Sequence, residues 1–92
     1  MLLVTYDIQN DKLRTQFSKF LKQYGWRVQY SVFELKSSER ILNLVLAEIE
    51  GKFLKKFSQA DSVLIFPISQ SDEKKTIKYG YAANKDDAVI FV

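Results

Sequence analysis

The chain begins with a two-residue alternation. Leu2, Val4, Tyr6 and Ile8 fall on one side and Leu3, Thr5 and Asp7 on the other, the period of a half-buried β-strand. Asn10 or Asp11 then offers an N-cap, and Leu13, Phe17, Phe20, Leu21 and Tyr24 recur at helical spacing until Gly25 offers a C-cap. This predicts an amphipathic helix over 11–24. From Trp26 to Lys36 the pattern is extended again, with Trp26, Val28, Tyr30 and Val32 alternating with Arg27, Gln29 and Ser31. The adjacent apolar pair Val32 and Phe33 breaks that phase, and Leu35 continues the phase of Phe33. Two short strands with a bulge or turn near Ser31 to Phe33 are therefore expected.

Ser37 or Ser38 caps a second helix, whose stripe of Ile41, Leu42, Val45, Leu46, Ile49, Phe53 and Phe57 carries it to about Phe57. Asp61 to Ile68 reads as a fourth strand, with Pro67 marking an edge or a strand end. The order is βαββαβ. With a right-handed crossover in each βαβ unit, both helices lie on one face of the sheet. The expected class is α+β, a ferredoxin-like βαββαβ core over residues 1–68 with one sheet face open to a partner. Residues 69–92 form a C-terminal extension of the same single domain, polar from Ser69 to Lys78 and ending in the apolar run Ala88 to Val92. That last run reads as a strand with no place in a minimal sheet, and pairing with the other subunit of a homodimer would give it one.

Composition narrows the chemistry. At 92 residues with 47% apolar and 27% charged side chains, the chain can fold around one core but not two. It has neither cysteine nor histidine, which removes disulfides, zinc-thiolate sites and the usual nucleophile and neutral-pH base. Carboxylates, hydroxyls and a hard oxygen-liganded ion remain. The net charge of +3 is uneven: up to residue 36, Lys12, Arg14, Lys19, Lys22, Arg27 and Lys36 outnumber Asp7, Asp11 and Glu34. A basic N-terminal half suits a polyanion, although a solvated charged face gives the same pattern. The start lacks the basic and long apolar segments of a secretory signal, and no apolar run approaches the roughly 18 residues of a membrane span. A cytoplasmic location without membrane contact is expected.

Asp7 stands near the end of the first strand, followed by Gln9 and Asn10, where α/β arrangements commonly expose functional groups. A lone carboxylate there also serves simply as a turn cap. Context comes from four blocks: Val4-Thr5-Tyr6-Asp7-Ile8, then Lys12-Leu13-Arg14, then Tyr24 to Leu35 with Gln29-Tyr30-Ser31-Val32-Phe33-Glu34 at its centre, and Asp61-Ser62-Val63 opening the last core strand. Over residues 2–68 this resembles the CRISPR-associated adaptation protein and endoribonuclease family Cas-two.

The resemblance implies a ferredoxin-like homodimer in which Asp7 of each subunit faces its mate across the dimer axis and holds a magnesium ion, Mg2+. Two close carboxylates repel, and a divalent ion between them removes the repulsion while binding phosphate oxygen and water. Tyr6, Arg14, Arg27, Ser31 and Phe33 match other positions associated with activity in the family. For Arg14 and Arg27 the competing account is a solvated charge, for Tyr6 and Phe33 core packing, and for Ser31 a bond to nearby backbone at the bulge. Lys12, Lys19 and Lys22 would extend a nucleic-acid-binding surface with Arg14 and Arg27, with a solvated face as the simpler account. Members often carry two arginines in the early helix. Here Arg14 stands alone, with Lys12 as a partial substitute that lacks the bidentate fork.

Two roles follow from the resemblance: a metal-dependent endonuclease acting on single-stranded RNA or DNA, and a dimeric adaptor in spacer acquisition that bridges CRISPR integrase subunits and binds duplex spacer-precursor DNA. Two rival readings share the fold, a virulence-associated toxin-like ribonuclease and a non-catalytic nucleic-acid-binding or sensing module. The strands lack the aromatic pattern of an RNA-recognition motif.

Overall fold

The computed structural model describes residues 1–80. The elements run β1 (Leu2–Asp7), α1 (Asp11–Leu21), β2 (Gly25–Gln29), β3 (Val32–Leu35), α2 (Glu39–Glu48), β4 (Ser62–Pro67) and α3 (Gln70–Lys75). The strands form one sheet in the order β2-β3-β1-β4, every neighbouring pair antiparallel. This is the ferredoxin-like arrangement the alternation predicts, with β1 central and β4 at an edge, where the missing N–H of Pro67 interrupts no ladder on its outer side.

Each helix starts at a short polar side chain that accepts from an otherwise orphaned N–H. Asn10 Oδ1 accepts from Leu13 N at 2.8 Å and Ser38 Oγ from Ile41 N at 3.3 Å. One face of the sheet (Leu2, Val4, Tyr6, Phe33 and Leu35) packs against Leu13, Phe17, Phe20 and Leu21 of α1 and Val45, Ile49 and Phe53 of the second helical segment, in one cluster. Past Glu48 the helix widens into a π turn, Ile49–Phe53, and tightens into a 3₁₀ turn, Leu54–Lys56. Four-residue steps overrun a 3.6-residue turn, and the wider turn brings Phe53 back to the face that buries Val45 and Ile49.

Cross-strand partners share a face, so the registers place Leu3, Thr5 and Asp7 with Val32, Glu34 and Trp26 and with Ser62, Leu64 and Phe66. That is the opposite face, open as expected: Leu64 and Phe66 remain 55% and 45% exposed.

Two expectations are corrected and one is made more specific. The first helix ends at Leu21, and Gly25 is no left-handed C-cap, because among the described residues only Gly80 has a positive φ. Gly25 opens β2, and a Cβ there would meet the Glu34 carbonyl oxygen at 1.9 Å. The glycine is needed for the close approach of β2 to β3. The bulge or turn expected near Ser31 is the β2–β3 turn at Tyr30 and Ser31, and a separate bulge that the pattern did not announce lies at Arg27 to Gln29, with Val28 as the extra residue. Lastly, the polar stretch after Ile68 contains α3, capped by Ser69 Oγ accepting from Asp72 N at 3.2 Å. Acidic residues in its first turn and lysines in its last suit the helix dipole. The expected strand at Ala88 to Val92 lies outside the described residues. No helix among the described residues is long and apolar enough to cross a membrane.

Candidate nucleic-acid interface

Asp7 ends β1 as an exposed carboxylate on the open sheet face, opposite Ser62. Gln9 Nε2 donates to its Oδ1 at 3.0 Å, which orients the exposed group. The loop behind it is held from three sides. Asn10 caps α1, Arg14 Nη1 donates to the Ile8 carbonyl at 2.9 Å, and Asp61 accepts from Gln9 N at 2.9 Å and Ser58 N at 2.8 Å. Asp61 therefore ties the end of β1 to the turn that leads into β4.

These two N–H bonds, first Gln9 and then Ser58, hold the Asp61 carboxyl below its usual 3.8. A depressed folded pKa contributes stability that is complete above the unfolded value and is lost as pH falls through the folded one. The melting temperature of wild type is therefore expected to exceed that of Asp61→Asn at neutral pH, with the gap closing as the solution is acidified below about pH 4. A gap independent of pH would show that charge is not what fastens the loop.

The other candidates gather on the helix-covered side. Tyr6, Arg14, Thr15, Ser18, Lys19, Lys22, Arg27 and Tyr30 line a cleft of about 270 Å³ between α1 and the β2–β3 turn. The Val28 bulge puts Arg27 opposite Phe33 on this side of the sheet, with its guanidinium 5.2 Å from the Phe33 ring centre. Its Nη1 also donates to the Tyr30 carbonyl at 2.6 Å. Arg14 is ion-paired with Asp11, whose hydrogen bond is the main cause raising its pKa. Tyr6 is 5% exposed, and burial pushes its phenol up against the opposing pull first of Arg27 and then of Arg14. It is a protonated donor at neutral pH.

Tyr6 thus both packs and lines the cleft, set edge-on to Phe17 at 5.1 Å. Phe33 is fully buried and supports the cleft from beneath. Ser31 contributes main chain: its carbonyl accepts from Tyr6 N at 3.1 Å. Of the five basic residues expected to bind nucleic acid, Arg14, Lys19, Lys22 and Arg27 share the cleft and Lys12 lies outside its lining. Asp7 faces the other way.

The family model for CRISPR associated protein Cas2 matches residues 1–76. The chain belongs to the Cas2 family. It is 34% identical over 79 residues to a CRISPR-associated endoribonuclease Cas2 of Synechocystis, covering 85% of this chain and 82% of that one. Against a Cas2 endoribonuclease of Chloroflexus aurantiacus it is 33% identical over 86 residues, covering 92% and 88%. Among solved structures, Streptococcus pyogenes Cas2 superposes with a TM-score of 0.69 at 24% identity over 86% of this chain and 98% of that one, a likeness of fold. A hypothetical protein from Thermus thermophilus gives 0.61 at 33% identity over 74% and 79%.

Within this Cas2 chain, residue-type reasoning passed over Tyr30, which stands 70% exposed at the mouth of the cleft. The available signal was an aromatic in a strand-to-strand turn three residues after an arginine. Among the described residues no three acidic, histidine or cysteine side chains cluster as a metal site. Asp7 is a hard oxygen donor of the kind that suits Mg2+, and one protomer supplies one such donor.

Proposed function

We propose that this protein is a CRISPR adaptation protein that acts as a homodimer and cleaves phosphodiester bonds with Mg2+. The observation that carries the reading is the position of Asp7: an exposed carboxylate at the end of β1, oriented by Gln9, on the sheet face opposite the one packed in the core. Two copies meeting across that face would bring two Asp7 side chains together, and the exposed Leu64 and Phe66 on it give such a contact apolar area to bury. The donor set then fits a hard divalent ion held by Asp7 of both subunits.

When bound, the ion supplies charge neutralisation at the scissile phosphate and an acidified water. The chain's own part is to hold the paired carboxylates. Gln9 fixes one oxygen of each, while the loop clamped by Asp61 and Arg14 fixes the backbone that carries it. RNA or DNA in single-stranded form is the proposed substrate.

A second reading has its own observation. The basic cleft and Asp7 lie on opposite faces of the sheet, so nucleic acid can be bound without reaching the carboxylate. This suits an adaptor that joins integrase subunits and guides duplex DNA by its phosphates, working in the cytoplasm where the DNA is. Cleavage of single-stranded RNA and of duplex DNA, with Mg2+ or with chelator, on protein whose mass in solution is measured in parallel, separates the two. A dimer that cuts only with Mg2+ supports the nuclease. A dimer that binds duplex and cuts nothing supports the adaptor, and a monomer removes the basis of both.

A further inference from the structure

The cleft and the exposed tyrosine at its mouth together have a composition that general phosphate attraction does not require. We propose that they form a subsite for one unpaired nucleotide, its phosphate among Arg14, Arg27, Lys19 and Lys22 and its base stacked on Tyr30. The inference rests on the reading that this protein binds nucleic acid and adds which form of it this cleft takes.

Charge is the first argument. The cleft lining holds four cationic side chains and no carboxylate. Arg14 is paired with Asp11, whereas among the described residues no ion pair engages Lys19, Lys22 or Arg27. A protonated phenol, Tyr6, adds a neutral donor to the same lining. Cations with a neutral hydroxyl donor suit a phosphate diester.

Size is the second. About 270 Å³ lies just under the roughly 300 Å³ at which small-molecule pockets begin. A phosphate with its sugar is small enough for that space, and the base of the same nucleotide would then reach the exposed end of the lining. Tyr30 stands there, 70% exposed. Its backbone is fixed by the Arg27 hydrogen bond at 2.6 Å, and the Arg14 and Arg27 guanidinium groups each lie 6.0 Å from its ring centre. An aromatic held in the open beside a phosphate site offers a stacking platform. In a duplex the base faces are already stacked on one another, so this platform serves an unpaired nucleotide.

The position relative to Asp7 gives the subsite its meaning. It lies on the far side of the sheet from the carboxylate, so a strand held here reaches Asp7 only by passing around the end of β1. The subsite selects flexible single strands and acts apart from bond cleavage.

The test is binding in chelator, where nothing is cut, of a labelled single-stranded oligoribonucleotide and of a blunt duplex of the same sequence, followed by fluorescence anisotropy. Tyr30→Ala is expected to weaken single-strand binding roughly five- to hundred-fold, the range for loss of one stacked base, while duplex affinity changes less than about twofold. Tyr30→Phe keeps the ring and should bind as wild type. A strand carrying a single 2-aminopurine should be quenched by wild type and Tyr30→Phe but not by Tyr30→Ala. Equal losses for single strand and duplex, or no loss for either, overturn the subsite while leaving nucleic-acid binding intact. Wild-type protein that binds neither form overturns the subsite and the reading beneath it together.

Discussion

Asp7→Ala is expected to lower Mg2+-dependent cleavage of single-stranded RNA at least about 100-fold, the scale for losing one positioned catalytic group. The substitution removes the carboxylate from both subunits of a dimer at once, so no partial site survives. Stability should barely change. Asp7 is exposed, its side chain accepts a hydrogen bond from Gln9, two residues on, and surface substitutions of this kind stay within about 0.5 kcal/mol. Thermal melts and solution mass measured beside the cleavage rates make the result decisive. Cleavage retained by a folded, dimeric Asp7→Ala protein would mean the carboxylate is not catalytic. Cleavage lost together with the dimer would mean it acts at the interface.

Phe17→Ala is expected to cost about 3–5 kcal/mol, the range for truncating a fully buried phenylalanine. Phe17 is completely buried and touches four other rings: Tyr6 at 5.1 Å, Phe20 at 5.8 Å, Phe53 at 5.0 Å and Phe57 at 6.5 Å between ring centres. These come from β1, α1 and the turns that follow α2, so the cavity would open where the sheet and both helical segments meet. Against a total of roughly 5–15 kcal/mol for a small domain, the variant would sit near its unfolding midpoint in little urea. Leu54→Ala, at a side chain 54% exposed, is the control and should stay within about 0.5 kcal/mol. Similar urea midpoints for the two variants would show that the aromatic cluster is not the centre of stability.

The strands and both main helices were legible because their patterns are local. Leu2 to Ile8 alternates without interruption, and Asn10 and Ser38 supply the caps the structure uses. What failed depended on a neighbour in space. Gly25 reads as a helix cap from its position after Tyr24, yet its role is set by the Glu34 carbonyl that approaches it across the β-ladder. The bulge at Val28 left no break in the alternation from Trp26 to Val32, so only the β2–β3 turn could be read, from the adjacent Val32 and Phe33. α3 was passed over because it buries no residue and so has no apolar stripe. At the site, the resemblance named Asp7, Arg14 and Arg27, and charge added Lys12, Lys19 and Lys22. Their division between two faces could not be read, because it follows from strand register.

The extra residue at Val28 carries a further lesson about inheritance. With regular pairing continued from Gln29 opposite Val32, Arg27 would fall opposite Glu34 on the uncovered face and Trp26 opposite Leu35 on the packed one; the observed partners are Phe33 for Arg27 and Glu34 for Trp26. One unpaired position thus decides which side of the protein owns the guanidinium, with no change in the side chain itself. A three-nucleotide insertion or deletion in the gene at this hairpin can therefore relocate a functional group from one face to the other, and a sequence alignment that slides a gap through the hairpin would not notice that it had moved.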